Sequence, residues 1–313
     1  MARLTVGAVL FLIFVGGLVR MTGSGMGCPD WPRCFGKLIP PTDISQLPED
    51  YKTRFAVQGR EIADFDPVKT WIEYINRLIG AVIGLLGLLT VFFSWKIRKE
   101  NKAAFRWSLA GLFFVLLAAG IGAQVVKSDL HTGRITLHMV IALLTVFSFV
   151  MATFTVADED KVDAIRVPRH IWGMAGILLV FTLIQVLMGT QVREQVDEVA
   201  KALGEAQRAD WIGELTGVYH IHKVFHYGIF LVLIGMSVQL KPYWKRLGPV
   251  KNMFILVFIL LLMEMLLGVS MHNMGLPAWI QPLHLLVAAL IFAAEAGAGG
   301  WMYLANKKAL QVN

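Results

Sequence analysis

Glu73, Asn76 and Arg77 lie at helical spacing in "IEYINRLIG" (72–80), at the mouth of a long apolar run. A second stretch, "VYHIHKVFHYG" (218–228), opens another apolar run and carries His222-Lys223 where the first carries Asn76-Arg77. His138 and His284 stand near the start of two further runs. Imidazoles from two facing helices of a bundle can hold one metal or heme iron between them. A carboxylate beside such a centre can manage protons or stabilise developing positive charge. A charged side chain inside a membrane helix costs roughly 2.5–3.5 kcal/mol and faces the bundle interior. His222 and His284 are therefore read as two axial ligands of one iron, against the simpler reading of interfacial histidines that hydrogen-bond neighbouring helices.

The elements that must position these groups follow from composition. The chain has 313 residues, 56% hydrophobic and 16% charged, with mean hydropathy +0.62. Apolar runs long enough to span a bilayer occur at roughly 4–21, 71–95, 105–126, 135–157, 170–190, 218–240, 252–271 and 279–304. The expected fold is an all-α integral membrane protein, since lipid leaves no partner for open backbone groups. The first run lacks a small-residue cleavage site and is read as a helix rather than a signal peptide.

The net charge of +7 points to no nucleic acid. Its basic residues gather in "KIRKENKAAFR" (96–106), at Lys161, Arg166 and Arg169, and in "KPYWKRLGPVK" (241–251), with Lys307 and Lys308 after the last run. The positive-inside rule then places both termini in the cytoplasm and the segments 22–70, 127–134, 191–217 and 272–279 outside. The segment 191–217 is charged and helically patterned, so a surface helix is expected there.

Asn76 and His222, His138 and His284, and Gly122 and Gly268 are each separated by the same 146 residues. "LHMVIALLTVF" (137–147) also matches "LHLLVAALIFA" (283–293). The chain reads as two copies of a four-helix unit: two pseudo-symmetric bundles, 1–157 and 170–304, related by an axis along the membrane normal. His138, His222 and His284 all enter at the outer end. His226 lies one turn from His222, and with His220 leaves open a local copper or zinc site, although its repeat partner is Gly80. Lys223 and Arg77 are placed to pair with propionates or to reach the interface. Glu73 is read either as a carboxylate aimed into the first pocket or as an i,i+4 partner of Arg77. His131, His170 and His272 read as ordinary, and Glu264 and Glu295 as intramembrane carboxylates without an assigned role. Cys28 and Cys34, in "GCPDWPRCFG", are the only cysteines. They read as a loop-closing disulfide or as a redox-active pair.

"GGLVRMTGSGMGCPDWPRCFGKLIP" (16–40), the "EYINR" start of the second helix, the three outer-end histidines and the two-copy plan together resemble the heme A synthases, over nearly the whole chain. That resemblance implies oxidation of one porphyrin methyl group of heme O to a formyl group, by two successive hydroxylations and loss of water. It implies heme b as cofactor, carried in the C-terminal bundle by His222 and His284. Heme O, the substrate, would be received in the N-terminal bundle by His138, Asn76 and Arg77, with His138 on its iron and Glu73 as the catalytic carboxylate. Cys28 and Cys34 match the family's outer-loop cysteine pair. Asn76 stands where family members commonly have histidine, so the substrate iron is expected to have His138 as its one strong ligand. The segment 191–217 lacks the second cysteine pair that some members carry. The partners implied are heme O synthase, cytochrome oxidase assembly factors and an electron donor of unknown kind. The absence of an Arg- and Ser-rich leader points to a bacterial plasma membrane. Two other classes compete: a diheme b-type electron carrier, which needs four histidines, and a heme-handling assembly factor without chemistry on heme.

Overall fold

The computed structural model describes residues 1–157 and 161–311. Among the described residues eight helices are long and apolar enough to cross a membrane: α1 (Ala2–Met21), α2 (Pro67–Lys96), α3 (Lys102–Lys127), α4 (Thr132–Phe154), α5 (Arg169–Leu203), α6 (Val218–Leu240), α7 (Gly248–Asn273) and α8 (Ile280–Gln311). No strand occurs among the described residues. An even number of crossings puts both termini on one face. The opposite face, which carries the connections 22–66, 128–131, 204–217 and 274–279, is called the loop face below.

Local chemistry sets the helix starts. Asp66 caps α2 by accepting hydrogen bonds from the backbone N–H of Val68 (2.9 Å) and Lys69 (3.1 Å), with Pro67 at the first helical position. Such a cap satisfies amides that the helix itself leaves open. It draws the helix start outward from residue 71, where the apolar run begins, to residue 67. Asn101 caps α3 through the Ala104 N–H (3.0 Å), and its amide also donates to the Thr155 carbonyl at the end of α4. Nδ1 of His131 accepts from the Gly133 N–H (3.2 Å) and caps α4, which gives that histidine a structural task.

The packing follows one cyclic pattern twice. In the first half α1 packs on α2, α2 on α3, α3 on α4 and α4 back on α1. In the second half α5, α6, α7 and α8 make the corresponding contacts. The halves meet along α1, α4 and α5, with α8 against all three. α8 is the central helix: 61% of its apolar window is buried, against 22% for α1. Its buried positions include Ala289, Ala294, Ala296, Gly297, Ala298, Gly300 and Ala305. Small residues let helix backbones approach closely where lipid offers no hydrophobic drive to associate. At Gly300 a Cβ would stand 2.3 Å from the Phe154 ring of α4.

The surface helix expected within 191–217 is not a separate element. The stretch to Leu203 continues α5, which runs for 35 residues, and Gly204 ends it with φ of 73°. Helical turns at Glu205–Asp210 and Trp211–Glu214 then fold back, and Trp211 is buried with Val196, Leu215, Tyr219 and Leu276. The charge pattern of this stretch marked its exposed side. It carried no breaker between 190 and 203, so the helix had no reason to stop at the membrane edge. At the base of this extension Asp197 pairs with Arg193 (2.8 Å) and with Arg20 of α1.

Gly300→Ala should force the Phe154 ring out of its seat and destabilise the protein by about 1–3 kcal/mol. The thermal unfolding midpoint of detergent-solubilised protein would fall. An unchanged midpoint would mean that α4 and α8 do not touch there.

Candidate functional site

The loop after α1 is docked on the start of α2 by a dense set of contacts. Glu73 is 4% exposed. Its Oε2 accepts from the Cys28 N–H (2.7 Å), and its Oε1 accepts from the Arg77 Nε–H (3.1 Å) and from Arg77 Nη2. The Arg77 guanidinium also donates to the carbonyls of Asp30 (2.6 Å), Arg33 (2.9 Å) and Cys28 (2.8 Å). Asp30 in turn accepts from the N–H groups of Phe35 (2.6 Å) and Gly36 (2.9 Å). Those two residues have φ of 53° and 73° and turn the chain back on itself. Cys28 and Cys34 are joined in a disulfide and are fully buried. Phe35 beside them packs edge-on against Tyr51, Phe55 and Phe65.

Of the two readings of Glu73, the i,i+4 pairing with Arg77 is present. The pair exists, but it is buried and holds the cysteine loop rather than lying exposed at an interface. An Arg fork that meets three carbonyls and a carboxylate is nearly saturated with acceptors. Gly27 allows the close approach: a Cβ there would stand 2.5 Å from the Lys69 carbonyl oxygen. Thr70 Oγ1 donates to the Gly27 carbonyl (2.9 Å) across the same contact.

The three histidines share a second pattern. Each ring rests against a glycine of the neighbouring helix. A Cβ at Gly122 would meet His138 Cε1 at 3.3 Å, one at Gly189 would meet His222 Cε1 at 3.5 Å, and one at Gly268 would meet His284 Cε1 at 3.7 Å. A backbone carbonyl four residues before each glycine stands beside the same ring: Ala118 for His138, Gln185 for His222 and Glu264 for His284. Nδ1 of all three is buried and makes no well-aligned hydrogen bond, and the same holds for Oδ1 of Asn76. Sequence reading found Gly122 and Gly268 through the repeat but missed Gly189 and Gln185. These lie on α5, where the 146-residue offset does not carry over to α1.

His222 and His284 face each other with ring centroids 6.3 Å apart and planes at 77°. A metal bound in line between two imidazoles, roughly 2 Å from each nitrogen, separates the ring centroids by about 6 Å. The ring spacing of this pair suits an iron held between the two imidazoles. No cluster of three or more metal-ligating side chains exists among the described residues. The alternative copper or zinc site at His220, His222 and His226 accordingly finds no support in the geometry. His272 bonds to the Tyr219 hydroxyl (2.6 Å) outside this pair. Of the two intramembrane carboxylates, Glu264 approaches His284, with Oε1 3.1 Å from Nδ1 but off the line of a hydrogen bond. Glu295 lies deeper and accepts from Thr182 Oγ1 (2.8 Å) beside a small cavity lined by Leu178, Met236 and Phe254.

Gly27→Ala should undock the cysteine loop, because both partners in the clash are backbone and neither can yield cheaply. Limited proteolysis of the membrane-embedded protein should cut within 28–66 in the variant faster than in the parent chain. Equal rates would show that the close contact does not hold the loop.

Comparison with known proteins identifies the family. A family model described as "Cytochrome oxidase assembly protein" matches residues 1–295. Three relatives named "Heme A synthase" are similar to the chain along most of its length. The protein from Erythrobacter litoralis is 24% identical, over 96% of both chains. The protein from Shewanella oneidensis is 26% identical, over 92% of both. The protein from Alkalihalophilus pseudofirmus is 20% identical, over 91% of both. The chain belongs to the cytochrome oxidase assembly protein family and is similar along its length to these heme A synthases.

Proposed function

We propose that this chain is a heme A synthase, an enzyme that oxidises a porphyrin methyl group of heme O to the formyl group of heme A. The observation that carries the reading is the facing pair His222 and His284, at positions whose repeat partners are Asn76 and His138, in a chain of this family. Two closed axial positions suit a permanent group. One histidine with a weakly coordinating amide suits a substrate that must enter and leave, because an amide offers iron only its carbonyl oxygen.

The work divides between the halves. Residues 170–304 hold heme b through His222 and His284, and residues 1–157 receive heme O beside His138 and Asn76. Heme b, when bound, supplies one-electron transfer. His138 holds the substrate iron, and Asn76 presents its Oδ1 to the same space. Glu73 serves as the carboxylate of the substrate pocket. Arg77 fixes that carboxylate and ties it to the loop, so its part in substrate binding is indirect. Conversion of the methyl to the formyl group is a four-electron oxidation: an oxidant from outside the chain would have to take up the electrons and two oxygen atoms would have to be added, after which the geminal diol would lose water to give the aldehyde. The basic connections 96–106, 161–169 and 241–251 support a cytoplasmic location for both termini and an external loop face, as expected of a bacterial plasma membrane protein.

His284→Ala should remove heme b and its low-spin spectrum from the purified protein. Retention of both would rule out His284 as a ligand. Glu73→Gln removes the charge at nearly constant volume, and the side-chain amide oxygen still accepts from the Cys28 N–H. The variant should keep heme b but accumulate heme O or a hydroxylated intermediate when porphyrins are extracted after expression with a heme O source. A normal yield of heme A would sink the catalytic role of Glu73. In the parent chain the same extraction separates an enzyme from an electron carrier or a heme-handling factor, since only the enzyme yields heme A.

A further inference from the structure

The surroundings of His138 and His284 differ in one respect that the repeat makes visible. Each ring has a glycine behind it and a backbone carbonyl beside it, at equivalent positions of the two copies. The residue that gives the carbonyl is Ala118 in the first copy and Glu264 in the second. Beside His138 there is therefore one oxygen. Beside His284 there are two from the same residue, because Glu264 also places its side-chain Oε1 3.1 Å from Nδ1, in contact but off the line of a hydrogen bond. Both side chains are largely shielded, at 22% and 16% exposure for His284 and Glu264, and Glu264 Oε2 is buried without a partner. A carboxylate in such a place is expensive, and a helix–helix contact does not require one: the first copy makes the same contact with alanine.

Oε1 stands off the line of a hydrogen bond to Nδ1, and a small rotation of the carboxyl group or the ring would bring it onto the line of an Nδ1 hydrogen. Nδ1 then carries the hydrogen, and the lone pair is left on Nε2, the atom that an iron needs. A carboxylate that accepts the Nδ1 hydrogen makes the imidazole a stronger electron donor and fixes the ring's orientation.

We propose that Glu264 is a positioning residue for the C-terminal heme: it accepts the Nδ1 hydrogen of His284, strengthens that ligand and gives the heme held there a lower reduction potential than His284 alone would. Ala118 leaves the first copy without this device, so the two heme sites are tuned apart by one substitution within the repeat. The inference rests on the reading that His284 binds heme iron.

Potentiometric titration and electron paramagnetic resonance of the heme b-loaded full chain test it, with His284→Ala, Glu264→Ala and Glu264→Gln compared to the parent. Glu264→Ala should keep a low-spin heme and raise its midpoint. The reduced-to-oxidised ratio at a fixed ambient potential should rise by about tenfold, which is about 59 mV for one electron. Glu264→Gln should fall between, since its amide oxygen accepts the hydrogen bond without a charge. If His284→Ala loses heme b while Glu264→Ala keeps the parent midpoint and resonance positions, the role of Glu264 is overturned and the ligand assignment stands. If His284→Ala keeps heme b unaltered, the ligand assignment fails and takes this inference with it. Should Glu264→Ala not accumulate, Glu264→Gln decides alone, and a midpoint equal to the parent's overturns the proposal.

Discussion

Inside a bilayer there is no water to satisfy a polar side chain, so each such group must be answered by the protein or by what the protein holds. This constraint organises the molecule. Glu73 and Arg77 answer each other and the cysteine loop. Glu295 answers Thr182, and Thr5 answers Thr90 (3.0 Å) in the first half. The polar atoms left unanswered at Asn76, His138, His222 and His284 are those that the internal repeat aligns. Other buried atoms without a partner, such as Trp71 Nε1, Gln195 Oε1 and Trp244 Nε1, lie off that pattern.

The histidine seats show how much precision such a place demands. A ring pressed on a glycine of the next helix is held along one edge, and the backbone carbonyl beside it selects which nitrogen carries the proton. A Cβ at Gly122 would stand 3.3 Å from the His138 ring and ask it to give slightly, whereas at Gly189 and Gly268 a Cβ would stand in ordinary contact at 3.5 and 3.7 Å. The seats are made from backbone, which changes little in a helix bundle. The residues that lend those carbonyls differ in their side chains: Gln185 and Glu264 in one half, Ala118 in the other.

The apolar runs of the sequence showed the eight helices because spanning a bilayer leaves few other solutions. The spacing of Asn76, His138, His222 and His284 showed the repeat because a duplicated site keeps its register. Three features stayed hidden for physical reasons. The start of α2 depends on Asp66 and Pro67, which lie outside the apolar run. The length of α5 depends on the absence of a breaker before Gly204 rather than on hydropathy. The task of Arg77 depends on carbonyls of residues 28, 30 and 33, a long-range contact to irregular backbone that leaves no periodic trace.

α5 has a consequence beyond its own packing. At about 1.5 Å per residue its 35 residues extend about 52 Å, well over the roughly 30 Å of bilayer hydrocarbon. The second half is thus roofed by a stiff post that grows from its own first helix, while the first half is roofed by a cross-linked loop clasped to its second helix. Arg20 of α1 grips the post at Asp197, which also pairs with Arg193 of the post itself. A sideways load on the tip would act on this grip as on the fulcrum of a lever, and would pass to α1 through Arg20 and to α6 through Tyr219, packed beside Val196.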